Sequence, residues 1–444
     1  MVADKHDDRP LRILILSQVF WPDTASTAQH VCDLARELAA RGHSVEVLAS
    51  RYPYENPNYR YPAFEEHDGV QIHRLRNTGF GKKRMWGRII DSLTFNLLVF
   101  LRLIGRRRNR VDRLVGLTSP PLVSFIGSMV ARWKGWRFCY WAMDLQPELA
   151  IEVGLLRAGS YPARILMAMG RSVFQKADRI VALDHFMAEH IRETRGAAEV
   201  QVLPVWPVLE QPGWAGDRLQ NPFRQANGFG DRFVVMYSGN HAIVHPLDTL
   251  LEAAGELRDD PRFLFVFIGG GVRSPEVTQF REQHGLANIQ QLPYQPRSEI
   301  HISLAAADLH VVVMGNGQVG FTHPNKVYGA MYIGRPFVYL GPTRSHVGEL
   351  IQRCPQNLQA AHEDTASLVR QLRNFVDAGP AYWRAVGHCN ADFARQQFNP
   401  GTQIAAMAEL VELITLPVQT PVLRPPPIVE LGKTRGAITP GPQM

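Results

Sequence analysis

Cysteine is scarce in this chain: four residues in 444, at Cys32, Cys139, Cys354 and Cys389. None forms a C-x-x-C pair, so neither a disulfide framework nor a zinc site of that spacing is encoded, and the usage fits a reducing cytoplasm. Long apolar runs are missing too. The run Leu97 to Leu101 near the middle falls far short of the roughly 20 residues a membrane-spanning helix needs. Met1 to Pro10 is charged and lacks an apolar h-region, so no signal peptide is expected. No G-x-G-x-x-G follows the first strand of either half, which disfavours a dinucleotide enzyme; Gly315-x-Gly317 and Gly269 to Gly271 by themselves read as turns. The candidate ligand loops hold no Asp-x-Asp and no convincing cluster of carboxylates. Neither a metal nor a resident cofactor is expected.

What is present is an ordinary globular composition, 45% apolar and 20% charged, in a chain long enough for two or three cores. The formal net charge of +7 favours an anionic partner: a nucleotide, an acidic lipid surface or nucleic acid. Strands and helices alternate. Leu11 to Leu16 reads as a strand, a loop runs from Ser17 to Thr27, and Val31, Leu34, Ala35 and Leu38 form one helical stripe. Arg41-Gly42-His43 ends that helix, and Val45 to Leu48 follows as a strand. Such a βαβ unit predicts a parallel sheet. Further strands are predicted at Gln71 to Leu75, Arg113 to Leu117, Phe138 to Met143, Arg179 to Leu183 and Val200 to Leu203.

A second series begins at Phe233 to Tyr237 and continues through Phe263 to Ile268, Ile289 to Leu292, Leu309 to Met314 and Phe337 to Leu340. Pro246 is expected near the first position of one helix, and Ser274-Pro275 as N-cap and N1 of another. The fold class is therefore α/β, with two Rossmann-like domains in tandem. The expected division is 1–205, a linker over 206–230 rich in Pro, Gly, Asn and Gln, a second domain over 231–395, a helix over 396–415 packing back toward the first domain, and a Pro-rich disordered tail over 416–444.

One stretch concentrates the chemistry. Thr322-His323-Pro324-Asn325-Lys326 follows a buried strand and opens a short helix that Gly334 ends. Free amides, a helix dipole and Lys326 at the ligand edge of a parallel sheet suit an anion such as phosphate; the bland alternative is a solvated surface Lys. Asp144, at the carboxyl end of a strand, faces the same kind of crevice and can orient or deprotonate a hydroxyl, or simply cap a turn. Glu148 is close enough to share either role, and His185 is a weaker candidate.

Taken in order, Phe20-Trp21-Pro22, Arg41-Gly42-His43, Asp144-Leu145-Gln146-Pro147-Glu148, Gly154-Leu155-Leu156, Ala177-Asp178-Arg179-Ile180, Tyr237-Ser238-Gly239-Asn240, Pro324-Asn325-Lys326, Gly334-Arg335-Pro336 and Gly348-Glu349-Leu350-Ile351 resemble a family. The pattern is similar to that of retaining glycosyltransferases of family 4, in the fucosaminyltransferase-like subgroup of bacterial surface-polysaccharide assembly. The resemblance covers residues 11 to 415. It implies the GT-B architecture, two Rossmann-like domains with a cleft between them. It also implies transfer of a sugar from a UDP- or GDP-linked donor to a lipid-linked or glycan acceptor, without metal. On the donor side it points to Gly239, Asn240, His245, Gly269, Pro324, Asn325, Lys326 and Glu349, with Asp144 and Lys326 as catalytic residues. Ser26 and Thr27 occupy a loop where relatives often carry Gly-Gly, and could equally cap a helix. The chain departs from the family pattern. Asn240 and His245 stand where many members hold the donor diphosphate with Arg and Lys. Phe321 and Gly329 stand where a pair of glutamates is usual. Lys326 is then the main cation, with His245 as support. Rival readings are a nucleotide-sugar epimerase of the same architecture and an inactive scaffold of an assembly complex. A pyridoxal-phosphate phosphorylase lacks any motif for its Lys.

Residues 82–110 carry Lys82, Lys83, Arg84, Arg88, Arg102, Arg106, Arg107, Arg108 and Arg110 around Trp86, Ile89, Leu93, Leu97, Phe100 and Ile104. This reads as an amphipathic helix for an anionic membrane surface, and hence a protein peripheral at the inner face of the membrane. The alternative is a core helix with a solvated basic rim. No nucleic-acid motif accompanies the patch, so nucleic acid is not expected as a partner.

Overall fold

Six consecutive apolar residues, Phe263–Ile268, leave no side chain for solvent, so both faces of that strand must be covered. All six are buried. The same rule builds two sheets in the computed structural model, which describes residues 9–53, 59–80, 85–197, 199–209 and 216–414. The described residues belong to one compact unit that ends at Ile414.

The first sheet contains β1 (Arg12–Leu16), β2 (Ser44–Ser50), β3 (Phe64–His67), β4 (Val70–Leu75), β5 (Arg113–Leu117), β6 (Arg137–Trp141), β7 (Arg179–Ala182) and β8 (Gln201–Val202). The second contains β9 (Phe233–Ser238), β10 (Phe263–Ile268), β11 (Ile289–Leu292), β12 (Leu309–Val313), β13 (Phe337–Leu340) and β14 (Leu358–Ala360). Their orders are β3-β4-β2-β1-β5-β6-β7-β8 and β11-β10-β9-β12-β13-β14. The second sheet is parallel throughout. The first has one antiparallel pair, β3 with β4. That hairpin turns at Asp68-Gly69, both with positive φ, the usual signal for a two-residue hairpin. The reading of Gln71 to Leu75 alone omits it, and β14 was also not anticipated.

Strand order reverses at β1/β5 in the first half and at β9/β12 in the second. In open α/β sheets, ligands gather outside the carboxyl ends of the strands at such a point. The loop after β9 carries Gly239, and those after β1 and β12 lead into helices that begin at Ser26 and Lys326.

Several local expectations shift. The helix after β1, Ser26–Ala40, has Ala25 as N-cap, so Ser26 and Thr27 lie inside the helix and cap nothing. Pro246 precedes a helix that starts at Asp248, and Ser274 is the first residue of its helix rather than the cap. Trp206, placed at the start of the linker, is core. It is buried, stacks on Trp141, and its indole N–H donates to Asp33 at 2.9 Å. Beyond residues 210–215, which lie outside the described residues, the remaining stretch packs on the second sheet through Asp308. That carboxylate accepts from Arg218 at 2.7 and 2.8 Å, from Arg224 at 3.0 Å and from the Val234 N–H at 2.9 Å. Composition hid this because the apolar content is low while the anchor is ionic.

The helix Pro400–Glu412 ties to the first half. Glu412 accepts from Arg41 at 3.1 Å and from His43 at 2.8 Å. Since the Leu11 N–H donates to His43 Nδ1, the proton of that ring sits on Nε2. Met407, Ala408 and Val411 are buried; burial of a side chain the size of Met or Val contributes about 1.5–3 kcal/mol. The expected tail, 416–444, lies outside the described residues.

The basic segment forms the helix Met85–Gly105 and a short 3-10 turn, Arg108–Arg110; Lys82, Lys83 and Arg84 lie outside the described residues. Phe95, Val99 and Leu103 pack inward, while Trp86, Ile89, Leu93, Leu97, Leu101 and Ile104 face solvent. Met129 and Trp133 of the helix Val123–Lys134 are exposed as well. Both faces of the helix are thus apolar, and only one is covered. Among the described residues no helix is long and apolar enough to cross a membrane.

Replacing Asp308 by Ala should leave the buried Arg224 guanidinium without its counter-charge. The expected cost is about 3–5 kcal/mol, read as a lower urea midpoint; an unchanged midpoint would show that the ionic anchor is dispensable.

Candidate functional site

The donor-side wall grows from β9 and β12. Gly239, just past β9, has φ of +126°, a value open mainly to glycine. A Cβ there would sit 2.7 Å from Lys326 Cε, so the absent side chain is what lets Lys326 lie across the loop. At Gly269, just past β10, a Cβ would come within 2.3 Å of the Gly239 carbonyl oxygen. The two loops therefore close on each other backbone to backbone. Lys326 Nζ lies 2.6 Å from Tyr237 Oη, 3.4 Å from the Asn240 carbonyl oxygen and 4.1 Å from the centre of the Tyr237 ring. Among the described residues no carboxylate pairs with it. Desolvation lowers its pKa to about 7. The side chain is only partly covered, so an incoming anion can reach it.

Tyr237 Oη also lies 2.8 Å from the Asn240 carbonyl and 3.0 Å from His245 Nδ1. Burial first, then the charge of Lys326, hold the His245 pKa well below its ordinary value. His245 is therefore neutral and orients Tyr237; it does not supply the supporting charge expected of it. Asn240 is exposed at the loop tip. Lys326 opens a helix of seven residues, Lys326–Tyr332, and Gly334, at φ +73°, ends it as expected. Pro324 is buried beneath it. Asn325 reaches across the cleft, its Nδ2 3.4 Å from Ser26 Oγ, while its Oδ1 is buried without a partner.

The opposite wall comes from β6 and β7. Asp144 follows β6 and opens to the cleft; its N–H is 3.4 Å from Thr118 Oγ1. It does not cap the next helix, Glu148–Glu152, whose N-cap is Pro147. Crowding by protein raises the Asp144 carboxyl to about 6, opposed by the neighbouring His323. Cleft water offsets part of that desolvation, and a bound substrate would restore it. Glu148 cannot share the role of Asp144. Its carboxylate is held by the buried Arg195 at 2.6 Å and by His190 at 3.3 Å. Glu349 lies across the cleft from His185, 3.2 Å from its Nε2, both part-exposed. Among the described residues no hydrogen bond joins the Thr27 side chain to the donor-side groups.

Sequence reasoning passed over the group that joins the walls. Asp184, just past β7, caps the helix His185–Arg195 by accepting from the Met187 N–H at 2.8 Å. Its other oxygen is 2.6 Å from His323 Nδ1. Burial would raise this carboxyl, but the bond from His323 outweighs it and the result is about 2. His323 Nε2 is 2.6 Å from Tyr328 Oη, which is 2.8 Å from His346 Nε2. Asp184 could have been flagged: it stands at the end of β7 as Asp144 stands at the end of β6. The four are brought together only by tertiary contact. Among the described residues no group of three or more His, Cys, Asp or Glu could hold a metal ion.

Comparison with known proteins follows the division between the two sheets. Residues 27–206 match a family model described as a glycosyl transferase 4-like domain, and residues 232–377 one described as glycosyl transferases group 1. The putative colanic acid biosynthesis glycosyl transferase WcaI of Escherichia coli is 24% identical over 355 residues, 78% of this chain and 87% of that protein. Among solved structures, sucrose-phosphate synthase from Thermosynechococcus elongatus superposes with a TM-score of 0.73 at 15% identity, covering 90% of this chain and 97% of the other. HepE of Anabaena in complex with UDP-glucose superposes with a TM-score of 0.65 at 14% identity, covering 90% and 98%. Matched in both halves and built on two facing Rossmann-like sheets, the chain belongs to the GT-B glycosyltransferases and is an enzyme of glycosyl transfer.

Proposed function

We propose that this glycosyltransferase is retaining and metal-independent, and moves a sugar from a UDP- or GDP-linked donor to a lipid-linked or glycan acceptor in bacterial surface-polysaccharide assembly. The observation that carries the reading is Lys326: an ammonium held by a phenol and a carbonyl, with no carboxylate, at the strand-order reversal of the second sheet. Breaking the donor bond puts negative charge on a diphosphate leaving group, and a fixed cation stabilises that charge without metal. The UDP-glucose in HepE supports the donor class, and the name of WcaI supports the pathway class. Asp144 is the group to orient or deprotonate the acceptor hydroxyl. Gly239 and Gly269 shape the diphosphate loop, Glu349 takes the ribose side, and Asn325 and Ser26 close over the donor.

Donor binding should protonate Lys326. At pH 8 a group with a pKa of about 7 is mostly neutral in the empty cleft. A bound diphosphate raises that pKa, so binding takes up close to one proton at pH 8 and little at pH 6. Calorimetry in buffers of different ionisation enthalpy, with EDTA present, reads this directly. Lys326→Met should abolish the uptake and weaken the donor about 10- to 150-fold. Unchanged affinity would remove Lys326 from the site, and loss of wild-type binding in EDTA would overturn the metal-free reading.

Asp144→Asn should lower kcat about 10²- to 10⁴-fold while donor affinity holds. In the wild type, kcat should fall as pH drops through about 6, where the carboxylate takes up its proton. Normal turnover in the mutant would make Asp144 a structural residue, and binding without turnover in the wild type would favour an inactive scaffold.

The uncovered face of the helix Met85–Gly105 supports a peripheral place at the inner face of the cell membrane. Arg106 is occupied by Glu46, and Arg108 donates to the Trp133 carbonyl at 3.0 Å. Among the described residues, Arg88, Arg102, Arg107 and Arg110 are the exposed charges of this segment left to meet lipid, each contributing about 1 kcal/mol at an anionic leaflet. The protein should float with vesicles containing phosphatidylglycerol, less so in high salt, and Arg102, Arg107 and Arg110 changed together to Gln should cut recovery several-fold. Equal recovery with neutral vesicles would leave the helix an ordinary surface element.

A further inference from the structure

Two hydrogen bonds and one close electrostatic contact tie one short segment of the second half to the first. The Leu145 N–H donates to the Phe321 carbonyl at 2.9 Å. The His323 main-chain N–H faces the Asp144 carboxylate and favours its ionised form. The His323 ring meets Asp184 at 2.6 Å. Asp144 and Asp184 stand at the ends of the adjacent strands β6 and β7, so both carboxylates address a single residue of the opposite half. Asn325 and Lys326 follow two and three residues later. On its other side His323 is held by Tyr328, four residues beyond the proline, and Tyr328 by His346.

The hydrogen-bond chain has a consistent direction. An ionised Asp184 can only accept, so His323 carries a proton on Nδ1 and leaves Nε2 to accept from the Tyr328 hydroxyl; His346 then donates to the Tyr328 oxygen. All three links are satisfied, and the ring of His323 is fully buried. A buried, fully paired group of this kind holds one geometry, because any slip leaves a carboxylate and two donors unpaired.

We propose that His323 is a positioning residue: gripped by Asp184 from one half and Tyr328 from the other, it sets how Asn325 and Lys326 face Asp144 across the cleft. The inference rests on the glycosyl-transfer reading of that cleft. Lys326 and its partners Tyr237 and Asn240 all belong to the second half, so the diphosphate anchor, which carries most of the donor affinity, does not need the strut. Transfer does, because the acceptor-side carboxylate belongs to the first half, and misplacement by about 1 Å can cost 10²-fold in rate.

Two substitutions separate the links. An Asn side chain places its amide nitrogen near the position of Nδ1 and keeps the bond to Asp184; a Gln places it near Nε2 and loses that bond. His323→Gln should lower kcat at least tenfold with donor affinity within threefold, and His323→Asn should recover most of the lost turnover. A second readout is independent of activity. Spin labels at Arg171→Cys and Gln283→Cys, one on each half, in a Cys389→Ser background, report the distance between the halves. His323→Gln should broaden that distance distribution, and His323→Asn should leave it narrow. A distribution as narrow as wild type in His323→Gln, or donor affinity falling in step with kcat, would overturn the proposal. Failure of the unsubstituted protein to bind any nucleotide sugar would defeat the donor-site reading instead, and the distance measurement would still decide whether His323 holds the halves in register.

Discussion

A buried hydrogen bond from His323 to the Asp184 carboxylate is the constraint on which the cleft depends. Each sheet alone presents its loops at its own carboxyl edge, as parallel α/β sheets do. Nothing in either sheet says how far apart the two edges stand. The segment Phe321–His323 answers this by belonging to one half in sequence while hydrogen-bonding to the other. Desolvating the Asp184 carboxylate is costly, and the contact persists because His323 and the Met187 N–H together satisfy it.

The electrostatics of the two walls are opposed in a way that suits group transfer. On one side a Lys is deprived of carboxylates and partly desolvated, so its charge is unstable until an anion arrives. On the other a carboxylate is crowded upward in pKa and points into the same space. The ionisable groups around them are neutralised within the protein: Glu148 by Arg195, Arg273 by Asp248 and Glu276. His245 and His241 are kept uncharged by burial. Among the described residues neither Lys326 nor Asp144 is in an ion pair, while Glu349 and His185 pair with each other.

The helix Met85–Gly105 lies outside this economy of charge. Its inner stripe of Phe95, Val99 and Leu103 already gives it a core face, so the outer stripe has no folding role. Its exposed apolar side chains are the observation behind the proposed membrane contact. Arg106 and Lys134 are spent on Glu46 and on the helix's last carbonyls, which shortens the set of basic residues free to meet an anionic surface.

Much of the architecture was legible because hydrophobic periodicity is local. β5, β10, β11 and β13 fall on the runs read from sequence, and Gly334 ends its helix for a reason visible in one residue. Lys326 and Asp144 were also visible, since a polar residue just past a buried strand must lie at the sheet edge. Chain composition misjudged Trp206 and the stretch around Arg224, because their partners, Asp33 and Asp308, are 173 and 84 residues away in sequence. Glu148 and His245 looked like site residues from spacing, and only the arrival of Arg195 and of Tyr237 beside Lys326 gave them structural work. Sequence by itself determined two parallel α/β halves and the polar residues at their edges, through periodicity and turn chemistry that act within a few residues. Which of those edge residues stay free, and that Asp184, His323, Tyr328 and His346 join the halves, was decided by tertiary structure alone, because a buried charge takes its partner from whatever the fold brings within hydrogen-bond reach.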